Sequence, residues 1–183
     1  MTSDAGWLSR YQWTPVDAGL RNLPHERNAG ILEHVIDQFD VENAVRYRAD
    51  AARTWCKTFV WDVTRALFCE VPHWIDVDGE PATPGGGHRE TTANVITQWW
   101  MPEHGRRRGW TPASAALAQV AADAGAPALA CWWNPQGPGH VAVLRPSRGE
   151  PGVWIAQAGR TNHRRCTLAQ GFGRHTVECW VHE

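Results

Sequence analysis

The chain has 183 residues and a formal charge of −1, with 43% hydrophobic and 20% charged residues. This length is typical of one folded domain, and this composition is typical of a globular protein rather than a disordered one. The small net charge gives no electrostatic case for binding nucleic acid or an anionic membrane. The apolar runs are far shorter than the roughly 20 residues of a membrane-spanning helix, so no membrane span is predicted.

Residues 1–28 are irregular in sequence and contain Pro15 and Pro24. They are predicted to form an N-terminal extension that lies across a domain covering 29–183. The first residues lack the basic start and apolar block of a secretory signal, so we expect synthesis in the cytoplasm without a signal peptide. Action outside the cytoplasm would then require lysis or dedicated secretion. We expect the protein to be a monomer.

Four segments carry the apolar periodicity or the end signals of helices. They are 29–40, a run from Cys56 that ends before Val71-Pro72, 89–100, and a small-residue run from Thr111-Pro112 to Gly125. In the second segment the apolar positions follow helical spacing from Cys56 onward. Cys56 is therefore predicted to lie in the first turn of a helix, on its inward face.

Beyond residue 126 the chain consists of short apolar or alternating runs separated by turn-forming residues. These runs are 128–133, 140–145, 153–158 and 175–181. This pattern predicts an antiparallel sheet of hairpins. Helices followed by a sheet predict an α+β domain.

The five cysteines are an odd number without a CxxC motif, which argues against zinc-ribbon and thioredoxin folds. We expect all five to be reduced thiols. Only Cys56 is predicted at a helix start, where free N–H groups and the helix dipole stabilise a thiolate. Cys69 is predicted at the end of the same helix, Cys131 and Cys179 inside strands, and Cys166 in a loop.

A cysteine nucleophile requires a base that a rigid neighbour holds in place. His140 begins a predicted strand directly after a Pro138-Gly139 turn, whereas the other histidines fall mostly in predicted loops or near an end. Folding the hairpin of this strand and the next about its centre places Gln157 near His140. Asn162 is the second choice for the orienting residue. Either amide oxygen accepts a hydrogen bond from an imidazole N–H.

Three short segments resemble the CHAP and NlpC-type amidases and peptidases, which are papain-like enzymes that cut amide bonds in bacterial peptidoglycan. The segments are Thr54–Val63 (TWCKTFVWDV), Pro138–Val143 (PGHVAV) and Ile155–Gly159 (IAQAG). The family pattern is a cysteine that begins a helix, a Gly-His pair that begins a strand, and a polar residue on the next strand. The chain departs from it by having Gln157 where glutamate is frequent and Lys57 where asparagine is common.

The resemblance implies a papain-like fold, in which N-terminal helices carry the nucleophile at a helix N-terminus and pack on a C-terminal antiparallel sheet. It implies Cys56 as nucleophile, His140 as base and Gln157 as the third residue, acting on peptidoglycan or a peptide through an acyl-enzyme. No metal or cofactor is required for this chemistry. Exposed members of a tryptophan set are predicted to line the substrate groove. This set is Trp55, Trp61, Trp74 and Trp132.

Other functions stay open at this point. The same site chemistry serves a papain-like protein peptidase or an acyltransferase, and a tryptophan-rich chain also suits a non-enzymatic cell-wall or glycan-binding module. A metal site built from His163, Cys166 and His175 matches no closed zinc spacing. A wall-cutting enzyme of this kind would be a phage-type lysin or an effector injected into rival cells, and an effector would require an immunity protein as partner.

Overall fold

A computed structural model of the protein describes residues 11–182. The helices are α1 (Ala29–Asp37), α2 (Cys56–Ala66), α3 (Ala93–Val95), which continues into a π-helix (Ile96–Gly105), α4 (Ala115–Asp123) and α5 (Leu168–Phe172). The strands are β1 (Trp74–Ile75), β2 (Arg89–Glu90), β3 (Trp110–Ala113), β4 (Ala128–Trp132), β5 (His140–Leu144), β6 (Trp154–Ala158), β7 (Asn162–Thr167) and β8 (Glu178–His182). Short 3₁₀ turns occupy Pro24–Glu26, Val45–Tyr47 and Arg106–Arg108. The predicted α+β class is confirmed, and no helix in the described range is long and apolar enough to cross a membrane.

The six strands β3 to β8 form one antiparallel sheet in the order β3-β8-β4-β5-β6-β7, and β1 pairs with β2 in a separate ribbon. Helix α2 packs against β5 and β6. Nine of its eleven residues are buried, so the helix is a core element rather than a surface one. This packing brings the first residue of α2 to the start of the central strand β5.

The buried side chain of Arg46 contacts both helix α2 and the N-terminal residues Tyr11 and Thr14. The Arg46 guanidinium donates to the Asp62 carboxylate at 2.6 Å and 2.8 Å, and the Tyr47 hydroxyl donates to Asp62 Oδ2 at 2.7 Å. Arg46 also donates to the backbone carbonyl oxygens of Tyr11 and Thr14. The described part of the extension therefore supplies hydrogen-bond partners to a charged side chain inside the domain.

Two predicted helix starts are wrong. The segment from Thr111-Pro112 lies in strand β3, an edge strand where the missing N–H of proline is tolerated, and Ser114 caps α4 by accepting from the Leu117 N–H. The helix predicted over 89–100 begins only at Ala93, because Arg89–Glu90 pairs with β1 as strand β2.

Strand β7 and helix α5 were not predicted. Cys166, assigned to a loop from the sequence, lies in β7 opposite Ile155 and is buried. Strand β7 pairs only with β6 at the edge of the sheet, and only one of its six residues, Cys166, is buried. An edge strand of this kind shows no strong apolar alternation.

We expect Arg46→Met to destabilise the protein by about 3–5 kcal/mol, because it leaves the buried Asp62 carboxylate without its cation. Urea denaturation measures this change. The matched control is Arg48→Met, an exposed position two residues away, for which we expect a change within about 0.5 kcal/mol. A loss below about 1 kcal/mol for Arg46→Met would contradict this account of the ion pair.

Candidate active site

Cys56 is the first residue of α2 and is 5% exposed. The N-cap residue Trp55 makes no side-chain hydrogen bond to the helix, so no capping side chain occupies the N–H groups of the first turn. The backbone N–H groups of Lys57 and Val141 donate to the Cys56 sulfur. The helix start thus offers a negatively charged sulfur the donors that a cap would otherwise use.

The His140 side chain lies between the Cys56 thiol and the Gln157 amide. Its side chain hydrogen-bonds the Cys56 thiol, and its Nε2 lies 2.7 Å from Oε1 of Gln157. Gln157 Nε2 donates to the Thr161 carbonyl oxygen at 3.3 Å, which turns the amide oxygen toward the ring. His140 Nε2 therefore carries the proton in the neutral ring, and Nδ1 remains for the thiol.

The environment separates Cys56 from the other cysteines. Burial raises the pKa of the Cys56 thiol, but the hydrogen bond and charge of His140 and two backbone N–H groups bring it below its usual value. Burial lowers the pKa of His140, but the Cys56 charge and hydrogen bonds to Cys56 and Gln157 bring it above its usual value. The remaining thiols have pKa values raised chiefly by burial. They are Cys69, Cys131, Cys166 (to about 11) and Cys179 (to about 11).

Cys56 and His140 line a groove with a volume of about 1050 Å³. Its walls come from the turn before α2, the segment from β2 into α3, the loop before β5, the β6–β7 turn and the end of α5. The groove is partly open to solvent.

The structure brings one of the four predicted tryptophans to the groove. Trp132 lines it and stacks on His175, with ring centroids 3.7 Å apart and planes at 14°. Trp55 and Trp61 are buried, and neither they nor Trp74 belong to the groove lining. Five of the eleven described tryptophans are buried in the core, namely Trp55, Trp61, Trp100, Trp110 and Trp180.

Asn162, the second choice for the orienting residue, points elsewhere. Its side-chain amide donates to the carbonyl oxygens of Val41 at 2.8 Å and Tyr47 at 3.0 Å. It therefore attaches the segment before α2 to the start of β7, and it does not orient His140. The structure places Gln157 there.

Asn94 shapes the loop that precedes His140, a role that no pattern in the sequence predicted. Its side chain donates to the carbonyl oxygens of Asn134 and Gly137, each at 2.9 Å, and accepts from the Asn134 N–H at 3.0 Å. A Cβ placed on Gly139 would lie 2.3 Å from Asn94 Oδ1. The residue before His140 therefore has no room for a side chain, which is the physical reason for the Gly-His pair.

Helix α5 carries a site residue that sequence reasoning missed. Phe172, at its end, packs on His140 with ring centroids 4.9 Å apart. A capping box sets the start of this helix: Thr167 accepts from the Gln170 N–H, and Gln170 accepts from the Thr167 N–H. The T-x-x-Q signature in the sequence was the signal that would have identified the helix.

Lys57, the departure from the family pattern beside Cys56, is paired. Its Nζ donates to Glu90 Oε1 at 2.6 Å and to the Thr91 carbonyl oxygen. His73 Nε2 lies 3.2 Å from the same carboxylate oxygen. Burial raises the pKa of Glu90, but the His73 hydrogen bond and Lys57 bring it down to about 2. The Glu90 carboxylate thus neutralises the charge of Lys57.

Within residues 11–182 no group of three or more His, Cys, Asp and Glu is placed to hold a metal ion. No protein-family model matches this chain, and no curated protein does. The geometry of the groove and the resemblance of three short segments to CHAP and NlpC-type enzymes are therefore the observations that bear on function.

We expect the alkylation rate of Cys56 by iodoacetamide to have a pH midpoint below the ordinary thiol pKa of about 8.5. The reaction should be lost as the pH falls through that midpoint, because the thiolate becomes protonated. In His140→Ala the stabilising hydrogen bond and charge are absent while burial remains, so the midpoint should rise above that of the wild type. Peptide mapping by mass spectrometry identifies the alkylated cysteine. Equal midpoints in the two proteins would contradict the assignment of His140 as the partner of the thiolate.

We expect Gly139→Ala to displace His140, because the added Cβ collides with Asn94. A misplacement of about 1 Å can cost about 100-fold in a positioned reaction, and it should also raise the alkylation midpoint of Cys56. Gly19→Ala is the matched control, since no atom lies within 4 Å of a Cβ there. An unchanged midpoint in Gly139→Ala would show that the loop tolerates a side chain.

Proposed function

We propose that the protein is a cysteine-dependent amide hydrolase with a papain-like site. The observation that carries this proposal is the chain of contacts from Cys56 through His140 to Gln157, at the start of a helix and in an open groove. A buried structural cysteine has a raised pKa, as the other four cysteines do. Cys56 departs from them in the direction that a nucleophile requires.

The geometry supports a two-step reaction. The Cys56 thiolate attacks the carbonyl carbon, and the negative oxygen of the tetrahedral intermediate is stabilised by N–H groups of the first helical turn, including that of Cys56. Imidazolium His140 then protonates the leaving amine, which departs from the acyl-enzyme. Neutral His140 next removes a proton from water, whose oxygen attacks the thioester. Cleavage of the C–S bond releases the carboxylic acid and restores the Cys56 thiolate beside imidazolium His140.

Gln157 is a positioning residue in this scheme. Its oxygen accepts the N–H of His140 Nε2 and so keeps Nδ1 directed at the thiol. It supplies no charge, so the imidazolium is stabilised by the thiolate itself.

We propose peptide or amide bonds of bacterial peptidoglycan as the substrate, on the basis of the three segments that resemble CHAP and NlpC-type enzymes. The groove supports access of a large substrate because it is partly open to solvent. A binding module that stacks sugars on tryptophans receives less support, since Trp55 and Trp61 are buried in the core.

Digestion of purified peptidoglycan tests this function, with the released fragments measured by mass spectrometry. We expect the wild type to release fragments whose masses identify the bond, and Cys56→Ala to lose at least about 10³-fold in rate. Cys179→Ala is the matched control, because that thiol lies in β8 outside the groove. Fragment release by Cys56→Ala at the wild-type rate would refute the proposal, and no release by a wild type with a reactive Cys56 would refute the substrate.

A further inference from the structure

Two exposed arginines line the groove beside the reactive pair. Arg53 belongs to the turn that leads into Cys56. Arg160 follows Gly159, and a Cβ on Gly159 would lie 3.6 Å from Cε1 of the His140 ring. Both arginines therefore line the same groove as Cys56 and His140.

The charge of Arg160 is not compensated by a carboxylate within the described residues. Its Nη1 donates to the carbonyl oxygens of Asp50 at 2.7 Å and Ala51 at 3.4 Å, and its Nη2 donates to Ala51 at 3.4 Å. These neutral acceptors fix the guanidinium and leave other N–H donors unused. Arg53 Nε lies 3.5 Å from an Asp50 carboxylate oxygen, in a pair about half exposed on both sides, which water screens.

The turn that presents Arg53 is rigid. The Asp50 N–H donates to the Arg53 carbonyl oxygen at 3.1 Å, and Asp50 Oδ1 accepts from the N–H groups of Ala52 at 2.8 Å and Arg53 at 2.7 Å. Arg160 binds the carbonyl groups of Asp50 and Ala51, so both arginines are attached to this turn, and the Arg53 guanidinium lies 5.3 Å from the centroid of the Trp55 ring. Guanidinium groups match the planar two-oxygen geometry of a carboxylate.

The remaining charges of the groove do not offset this pair. Lys57 and Glu90 line the groove as an ion pair and neutralise each other. The lining side chains therefore carry a positive excess, although the whole chain has a formal charge of −1.

We propose that Arg53 and Arg160 form an anion subsite that binds a carboxylate of the substrate next to the scissile amide. This subsite deepens the proposed function and rests on it, because the carboxylate is placed relative to the bond that Cys56 attacks. The substrate class is then a peptide amide with an acidic group near the cleaved bond, rather than a neutral or basic peptide.

The charge of the reagent that alkylates Cys56 tests the subsite without any substrate. Second-order rate constants for iodoacetate, which carries a carboxylate, and for neutral iodoacetamide are measured on the full chain at pH 7 and low salt, with Cys56 followed by peptide mapping. We expect the ratio of the iodoacetate to the iodoacetamide rate to fall about three- to tenfold in Arg53→Gln/Arg160→Gln. Added salt should lower the wild-type ratio and leave that of the double variant nearly unchanged.

Arg48→Gln is the matched control, since Arg48 is exposed in the same region but does not line the groove, and it should keep the wild-type ratio. An unchanged ratio in the double variant overturns the subsite, including the case where both rates fall together because the arginines only hold the turn. If neither reagent modifies Cys56 in the folded wild type, the proposed function fails and the subsite fails with it. A lower ratio in the double variant alone supports the subsite.

Discussion

The contact between helix α2 and strand β5 is the constraint on which the site depends. The helix is buried over most of its length, so its position is determined by core packing. That packing brings Cys56 at the start of the helix to His140 at the start of the strand. Because a close-packed core permits little displacement, the two reactive atoms are held by the same interactions that stabilise the fold. Site and core are therefore not separable in this protein.

The Arg46–Asp62 pair extends the same constraint to the N-terminal segment. Burying a charged pair costs desolvation energy, and the cost is offset only when the remaining donors and acceptors are satisfied. Here the Tyr47 hydroxyl donates to Asp62, and the carbonyl oxygens of Tyr11 and Thr14 accept from Arg46. Tyr11 and Thr14 thus complete the hydrogen bonds of Arg46, which in turn pairs with Asp62 in the helix that carries Cys56. The structure gives this extension a physical role in the core of the domain.

Local patterns in the sequence predicted the elements whose neighbours are close along the chain. The position of Cys56 followed from helical spacing, and the meeting of His140 with Gln157 followed from the register of one hairpin. Strand β7 escaped prediction because it is a polar edge strand in which Arg165 lies over the Trp154 ring. The distribution of tryptophans between core and groove escaped as well, since it depends on contacts between distant segments. The hydrogen bonds of Asn94 to the loop before β5 join residues about 40 positions apart in the chain, so local patterns did not predict them either.

The choice of glutamine at the third position has a structural reason. An amide has one accepting end and one donating end, so a second contact must decide which end faces the imidazole. The Thr161 carbonyl oxygen does this by accepting from Gln157 Nε2. A glutamate in the same position would direct its second oxygen at that carbonyl oxygen and meet repulsion instead of a hydrogen bond. A Cβ on Gly171 would lie 2.7 Å from Gln157 Oε1, so the absence of a side chain at residue 171 leaves the space that this glutamine occupies. The backbone around this position therefore favours an amide over a carboxylate.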